Sequence, residues 1–385
     1  MRYSLHSHNE SPRRGLLRWL GGPMLALVAL ALLIVSHLFP GFASWYGRVI
    51  FPVFPHTVGR FWGMFPFSAF EILVAALGVY IIVWIVRTVM SFVRSRQVFT
   101  YWDESRSLKT RFKTMALRLI YFLAALFLMF VLTTGINYNR ESFAYHVGIT
   151  VGDPSLYELE QLFMLLVERA ETLTDAIETD ENGHFLLRRE GMHDYARRSM
   201  YELNRQYGGL VTFFPRAKAP LLSRGLSHLN IGGFFSPWTM EGHYNGDMPG
   251  QSIPFVINHE LAHVAGHMRE DEANFIAYLA GRNSESVDFQ YSAVYVALGY
   301  VLNDLRRAVS SERYGELFRM LPEQVQRDFA AARAYWRQFD GRPAEVATRA
   351  NDAYLRANQQ PDGVLSYGRM VELLLAYYRG LGLLG

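Results

Sequence analysis

Asn258-His259-Glu260-Leu261-Ala262-His263 sets two imidazoles four residues apart with a carboxylate between them. Residues at i and i+4 of a helix lie one turn above each other, so His259 and His263 converge on a single point. That spacing suits a tetrahedral zinc ion. Glu260 lies beside the pair, where it can accept a proton from a water activated at the site, and it is the candidate general base. A catalytic zinc site holds three protein ligands and keeps one position open. The stretch after Gly266 supplies carboxylates at Glu270 and Glu272, and the expected ligand set is His259, His263 and one of these two. His267 continues the four-residue spacing. A third turn along a straight helix carries it too far from His259 to share one metal, so it reads as a C-terminal or surface histidine. Tyr291 follows the ligand stretch and is a candidate phenol donor to a tetrahedral oxyanion.

These residues need a rigid frame. Pro254 sits where the first turn of a helix tolerates proline, and the motif helix is expected to run to about Gly266. Helical periodicity resumes over about Glu270 to Arg282, Val287 to Arg307, Pro322 to Phe339, Ala344 to Asn358 and Ser366 to Gly380. Upstream, Asp153-Pro154 opens an amphipathic helix to about Ile177, and another runs from roughly Met192 to Tyr207. Between Leu210 and Tyr244, short apolar runs broken by Pro and Gly predict a small strand or hairpin layer.

The chain has 385 residues, 50% of them hydrophobic. Apolar runs at Leu16 to Phe39, Phe70 to Met90 and Met115 to Ile136 approach or exceed the roughly 20 residues that cross a hydrocarbon core, which predicts three transmembrane helices. Lys and Arg crowd the N-terminus and the segment between the second and third runs, whereas Arg48 and Arg60 are the only ones between the first and second. By the positive-inside rule the N-terminus is cytoplasmic and everything after the third span lies outside. Residues 1–137 thus form a membrane domain and 138–385 an extracytoplasmic one. The Arg13-Arg14 pair and Gly41-Phe42-Ala43 resemble parts of a signal sequence, but two further spans favour an uncleaved anchor. The aromatic-rich loop from Pro40 to Ser68 reads as an interfacial belt, with a lid segment packed under the catalytic domain as the alternative. The net charge of +3 fits this topological bias, and no basic stripe with interleaved aromatics points to nucleic acid. Cysteine is absent, which excludes disulfides, thiolate zinc sites and a cysteine nucleophile.

The motif residues resemble the gluzincin zinc peptidases, which combine HExxH with a downstream glutamate that often begins an E-x-x-A-[DN] motif. Glu270-Asp271-Glu272-Ala273-Asn274 matches it, which implies Glu270 as third ligand, with Glu272 the other possibility, and Asn274 as the residue that orients a ligand. The spacing approaches the metzincin pattern HExxHxxGxxH, but the third ligand's position there is Arg269, which cannot bind zinc. In gluzincin-like folds a strand before the motif helix runs beside the substrate, which makes Glu241 and Asn245 candidates for the cleft. Three N-terminal spans, Phe65-Pro66-Phe67-Ser68, the Asn137 to Arg140 element, the Ser236 to Asn245 segment and HELAH with EDEANF are similar to the bacterial membrane-protein family known as domain of unknown function 3810. That resemblance implies a membrane-anchored zinc peptidase.

The expected architecture is a mainly α membrane protein: three N-terminal transmembrane helices, then a mostly helical α+β zincin-like domain with a small β layer. The expected function is hydrolysis of a peptide or envelope-protein substrate at the outer face of the bacterial cytoplasmic membrane, with one Zn²⁺ per chain. A non-catalytic metal-binding sensor or an envelope scaffold is the alternative. An intramembrane protease is disfavoured, because the charges around the motif helix place it outside any continuous apolar span.

Overall fold

A computed structural model of the chain describes residues 12–95 and 101–384. It is mostly helical, with one two-stranded sheet. Among the described residues, three helices are long and apolar enough to cross a membrane, at Leu20–Leu38, Ala69–Met90 and Lys113–Asn139, close to the predicted runs. Arg2 and Arg96, two of the charges used to orient them, lie outside the described residues.

The first and third spans pack along each other. Gly21 and Gly22 sit directly against Tyr121 and Ile120, and Gly135 against Leu33, so small residues bring the two helices close, as in other membrane bundles. The second span stands apart. Every residue from Val79 to Val86 has a large exposed side chain, so it offers apolar surface on all of its faces. Near its end the third span passes into a π-helical turn, Val131–Gly135, and the Tyr46 hydroxyl donates to the Leu132 carbonyl there at 2.7 Å. This satisfies a carbonyl at an irregular backbone segment.

The Pro40 to Ser68 loop is largely helical and packs against the C-terminal half. It contains a helix at Pro40–Val49 and a short π-helix at Pro55–Gly59. Phe51 is fully buried, Gly59 lies against Met240, and the Trp62 carbonyl accepts from Lys218 Nζ at 2.8 Å. These contacts hold the loop against the C-terminal part, while Trp45, Phe61, Met64 and Phe67 stay exposed.

The C-terminal half follows the periodicity closely. The first amphipathic helix is Leu156–Thr174, started by a capping box in which Ser155 and Glu158 satisfy each other's backbone N–H groups. Helices at Met192–Tyr207 and Glu270–Arg282 have the predicted bounds. A helix at Ser311–Arg319 was not anticipated. The predicted β layer is a hairpin of β1 (Gly233–Ser236) and β2 (Glu241–Tyr244), antiparallel with Ser236 opposite Glu241. β2 also makes a parallel bridge through His243 to Lys218, so β1 is the edge strand. The hairpin lies on the motif helix, Ile253–Val264, which in turn packs on the ligand helix, Glu270–Arg282.

Candidate metal centre

The motif helix ends at Val264, two residues earlier than predicted, and Gly266 reverses the chain at φ +89°. A side chain there would be strained, and its Cβ would also meet the Phe51 ring at 2.8 Å and the Arg140 guanidinium at 2.9 Å. Arg140, at the end of the third span, donates to the carbonyls of Ala265 at 3.2 Å and Gly209 at 3.0 Å. It therefore fixes the turn that swings the ligand helix back over the motif helix. Burial lowers its pKa to about 10, which leaves it charged at neutral pH.

This turn brings His259, His263 and Glu270 together, with one donor atom of each within 4.8 Å of the others. The two Nε2 atoms are 3.0 Å apart, and Glu270 Oε2 lies 3.1 Å from His259 Nε2 and 3.6 Å from His263 Nε2. The outer nitrogens are both engaged. His259 Nδ1 lies 2.7 Å from Asn274 Oδ1, and His263 Nδ1 lies 2.7 Å from the His267 carbonyl. Asn274 has no choice of orientation, because its amide nitrogen donates to the Tyr300 hydroxyl and the Tyr367 carbonyl, both at 3.1 Å. Both Nδ1 atoms must then carry the proton, and both Nε2 atoms turn lone pairs inward. Two lone pairs and a carboxylate oxygen facing one another repel unless a proton or cation sits among them. That is the chemistry of a metal site.

The charges agree. Burial works against a charged imidazole at His263, yet Glu270 overrides it and raises His263 to about 9. For Glu270, burial would raise the carboxyl, but His263 and His259 hold it at about 2. Burial lowers His259. Glu260 is different. Buried and with its Oε2 unpartnered, it is pushed by burial up to about 8, His263 opposing and Glu270 adding to the shift. The hairpin covers it: a Cβ on Gly233 would lie 2.5 Å from Glu260 Oε1, and one on Gly242 would lie 3.0 Å from its Cβ. Glycine at these strand positions is what lets the hairpin backbone approach the carboxyl.

Other predicted residues lie elsewhere. Glu272 is not in the group. Its Oε2 accepts from the Phe143 N–H and meets His267 Nδ1, both at 3.2 Å, while Arg269 faces Oε1 at 3.4 Å. His267 is buried, not at the surface, with Nε2 3.1 Å from the Gly209 carbonyl. Glu241 is buried away from the group, paired with Lys218 Nζ at 2.5 Å and accepting the N–H groups of Ala69 and Phe70, so it caps the second span. Asn245 is buried as well and donates to Ser227 Oγ and the Ile231 carbonyl. Tyr291 donates to Asp328 Oδ2 at 2.6 Å, stacked on Phe185.

The aromatic residues at the group come from elsewhere in the chain. Tyr367 stacks on the His259 ring, centroids 6.3 Å apart, and Phe235 of β1 lies 6.4 Å from the His263 ring. Tyr354 takes a hydrogen bond from Tyr138 at 3.2 Å, and its phenol is raised by burial and by the Glu270 charge. Tyr367 is raised by the same two causes. Gln360 accepts from the Glu270 N–H at 3.1 Å. With 22 tyrosines in the chain, nothing local in the sequence distinguishes these two.

Three helices long and apolar enough to cross a membrane, with two histidines and a glutamate converging in the C-terminal half, fit a multi-span membrane protein with a buried candidate metal centre. The chain belongs to the family described as protein of unknown function (DUF3810), whose model matches residues 46–375. Searches of curated proteins and of solved structures find no match.

Proposed function

We propose that the chain is a membrane-anchored, zinc-dependent peptidase whose C-terminal half lies at the outer face of a bacterial cytoplasmic membrane. The observation that carries this reading is the pairing of a three-donor group with an unpartnered, buried carboxyl one residue along the same helix. Zn–N and Zn–O bonds of about 2.0–2.2 Å at the tetrahedral angle put ligand atoms about 3.3–3.6 Å apart. The observed separations of 3.0, 3.1 and 3.6 Å lie within about 0.3 Å of that range. Two imidazoles and one carboxylate are also the donor set of an open, catalytic zinc site rather than a closed structural one, and the chain has no cysteine.

His259, His263 and Glu270 would hold the ion, which supplies Lewis acidity and lowers the pKa of a bound water to about 7. Glu260, with a pKa that rises through burial, accepts the water proton as its oxygen adds to the scissile carbonyl carbon. It then returns that proton to the amide nitrogen as the C–N bond breaks. Asn274 and the His267 carbonyl fix the imidazole tautomers. Tyr354 and Tyr367, in the Glu270 field, are the phenols available to the oxyanion in place of Tyr291. The free edge of β1, with Phe235 at the His263 ring, offers an extended peptide a backbone to pair with.

The test is turnover of a peptide mixture by zinc-loaded protein and by Glu260→Gln. The reading expects hydrolysis by the parent and a loss of about 10²-fold or more in the variant with its zinc retained. Equal rates would refute the role of Glu260. One observation favours a second reading as a metal-dependent sensor: the residue that caps the second span, Glu241, is next to Gly242, which backs Glu260.

A further inference from the structure

The heights of the three spans differ. Ser36, near the end of the first span, takes a hydrogen bond from Asn139, the last residue of the third, at 3.0 Å. The second span begins at Ala69, and the Phe70 ring stacks on Trp238 in the hairpin turn. The Trp238 indole in turn donates to the Leu126 carbonyl at 3.3 Å. Leu126 is 13 residues before Asn139 (139 − 126), or about 20 Å along a helix. The hairpin turn and the start of the second span therefore lie well below the ends of the other two. Apolar side chains stay exposed on the first span from Leu27 to Leu38.

The surface around the hairpin is correspondingly apolar. Leu221 is 94% exposed and Leu222 is 72% exposed, while their N–H groups are held by Glu71 in the first turn of the second span. Phe61, Met64 and Phe67 are exposed on the adjoining loop. Exposed apolar side chains grouped in this way mark a contact with lipid or with a partner. The metal group borders the same region. Phe130 of the third span meets the Tyr354 ring at 6.3 Å, Tyr138 holds the Tyr354 hydroxyl, and Tyr354 feels Glu270. Phe235 of the hairpin lies against the His263 ring, and the second span, exposed on all faces, does not pack along the third and meets it through Trp238.

Resting on the peptidase reading, we infer that the substrate is a membrane-inserted polypeptide that reaches the His259–His263–Glu270 group sideways from the bilayer, between the second and third spans. The bond cut lies at the outer end of its apolar segment, where the chain leaves the helix and can pair with β1. The unpartnered second span, the exposed Leu221 and Leu222 held at its first turn, and Phe235 against the His263 ring argue for this occupant. A soluble peptide would need no such surface. This keeps the site at the outer face of the membrane, as the sequence leads one to expect, and adds that its substrate arrives from within the bilayer.

The test uses the zinc-loaded full chain in phospholipid vesicles with two peptide libraries. Both carry the same randomised ten-residue segment. In one it continues into a leucine-alanine helix of about 20 residues inserted in the vesicle, and in the other it is free in water. The inference expects the anchored library to be cut at least tenfold faster, with Glu260→Gln inactive on both. Equal cutting would overturn lateral entry while leaving the peptidase standing, and would assign the exposed second span to lipid or to a second copy. No cutting of either library would overturn the peptidase reading and this inference with it. A second measurement is independent of activity. The chain has no native cysteine, so nitroxides on Leu221→Cys and on Leu186→Cys report single sites. The Leu221 label should be accessible to oxygen and shielded from a soluble nickel chelate, the Leu186 label the reverse. Equal nickel access at both would place the patch in water and overturn the inference.

Discussion

Two buried polar clusters lie on opposite sides of the hairpin, and they are built on opposite principles. On one side, the charges of Lys218 and Glu241 complete each other, with Ser68 on one nitrogen of His243 and its Nδ1 left without a hydrogen-bond partner. Lys218 donates to Glu241 and to the Trp62 carbonyl, Glu241 accepts two helix N–H groups, and His243 meets Ser68 Oγ at 2.8 Å. On the other side, His259, His263 and Glu270 present lone pairs to a common point, and both Glu260 Oε2 and Glu270 Oε2 lack any hydrogen-bond partner. Burying a charge is tolerable when its partners are present, and the first cluster meets that condition with groups from the chain itself. The second meets it only with something from outside. Buried charge alone does not mark a functional site; several donor atoms converging on one point without a cation of the chain among them do.

The largest effect that would test this contrast is at the ligands. Glu270→Ala should reduce bound zinc from about one per chain to a small fraction of that, whereas Glu272→Ala should keep it, because Glu272 serves the Phe143 N–H and His267. Elemental analysis of the two variants decides it. Next comes the complete cluster. Lys218→Met strands Glu241 without a counter-charge and should cost about 3–5 kcal/mol of stability in denaturant unfolding, with zinc binding kept in the fraction that folds.

Acid should weaken the same cluster. Burial, offset in part by Glu241, lowers His243 to about 4, so it stays neutral in the folded chain where an unfolded histidine, with its ordinary value of 6.5, takes a proton. Between these values the unfolded state binds more protons, and stability falls as pH drops from about 6.5 to about 4, by up to about 3 kcal/mol. Glu241 acts in the same direction. Burial would raise it, but Lys218 and the Ala69 and Phe70 N–H groups hold it low, so its stabilisation is lost as pH falls through its folded value. A His243→Gln variant should flatten the slope of unfolding free energy against pH across that window. The smallest of these effects is at Asn274. Asn274→Ala frees the His259 tautomer and should weaken zinc binding about 10–100-fold in competition with a chelator, without emptying the site at saturating zinc.

What the sequence disclosed was what depends on local spacing. His259, Glu260 and His263 sit within one and a half turns of a single helix, and Asn274 lies four residues beyond Glu270, so short-range geometry placed all of them near one another. The spans were legible because apolar length is a compositional signal. What was not legible depends on partners far along the chain. Glu270 and Glu272 differ in role because Phe143 meets one and not the other, across 129 residues. Glu241 has the composition of a cleft residue, but Lys218 and the first turn of the second span cover it. Tyr291 was drawn away by Asp328, while Tyr354 and Tyr367, which do lie in the field of Glu270, come from the end of the chain. His267 reads as a surface residue from its position after a helix, yet the Gly266 reversal and Arg140 turn it into the interior.

The central claim is that the incomplete cluster is completed by a metal ion and flanked by a working base. Zinc per chain, measured on detergent-purified parent, Glu260→Gln and His263→Ala, tests it most directly. The account predicts about one zinc in the parent and in Glu260→Gln, and little in His263→Ala. A parent that holds no metal after zinc is supplied and the excess removed by gel filtration would contradict it.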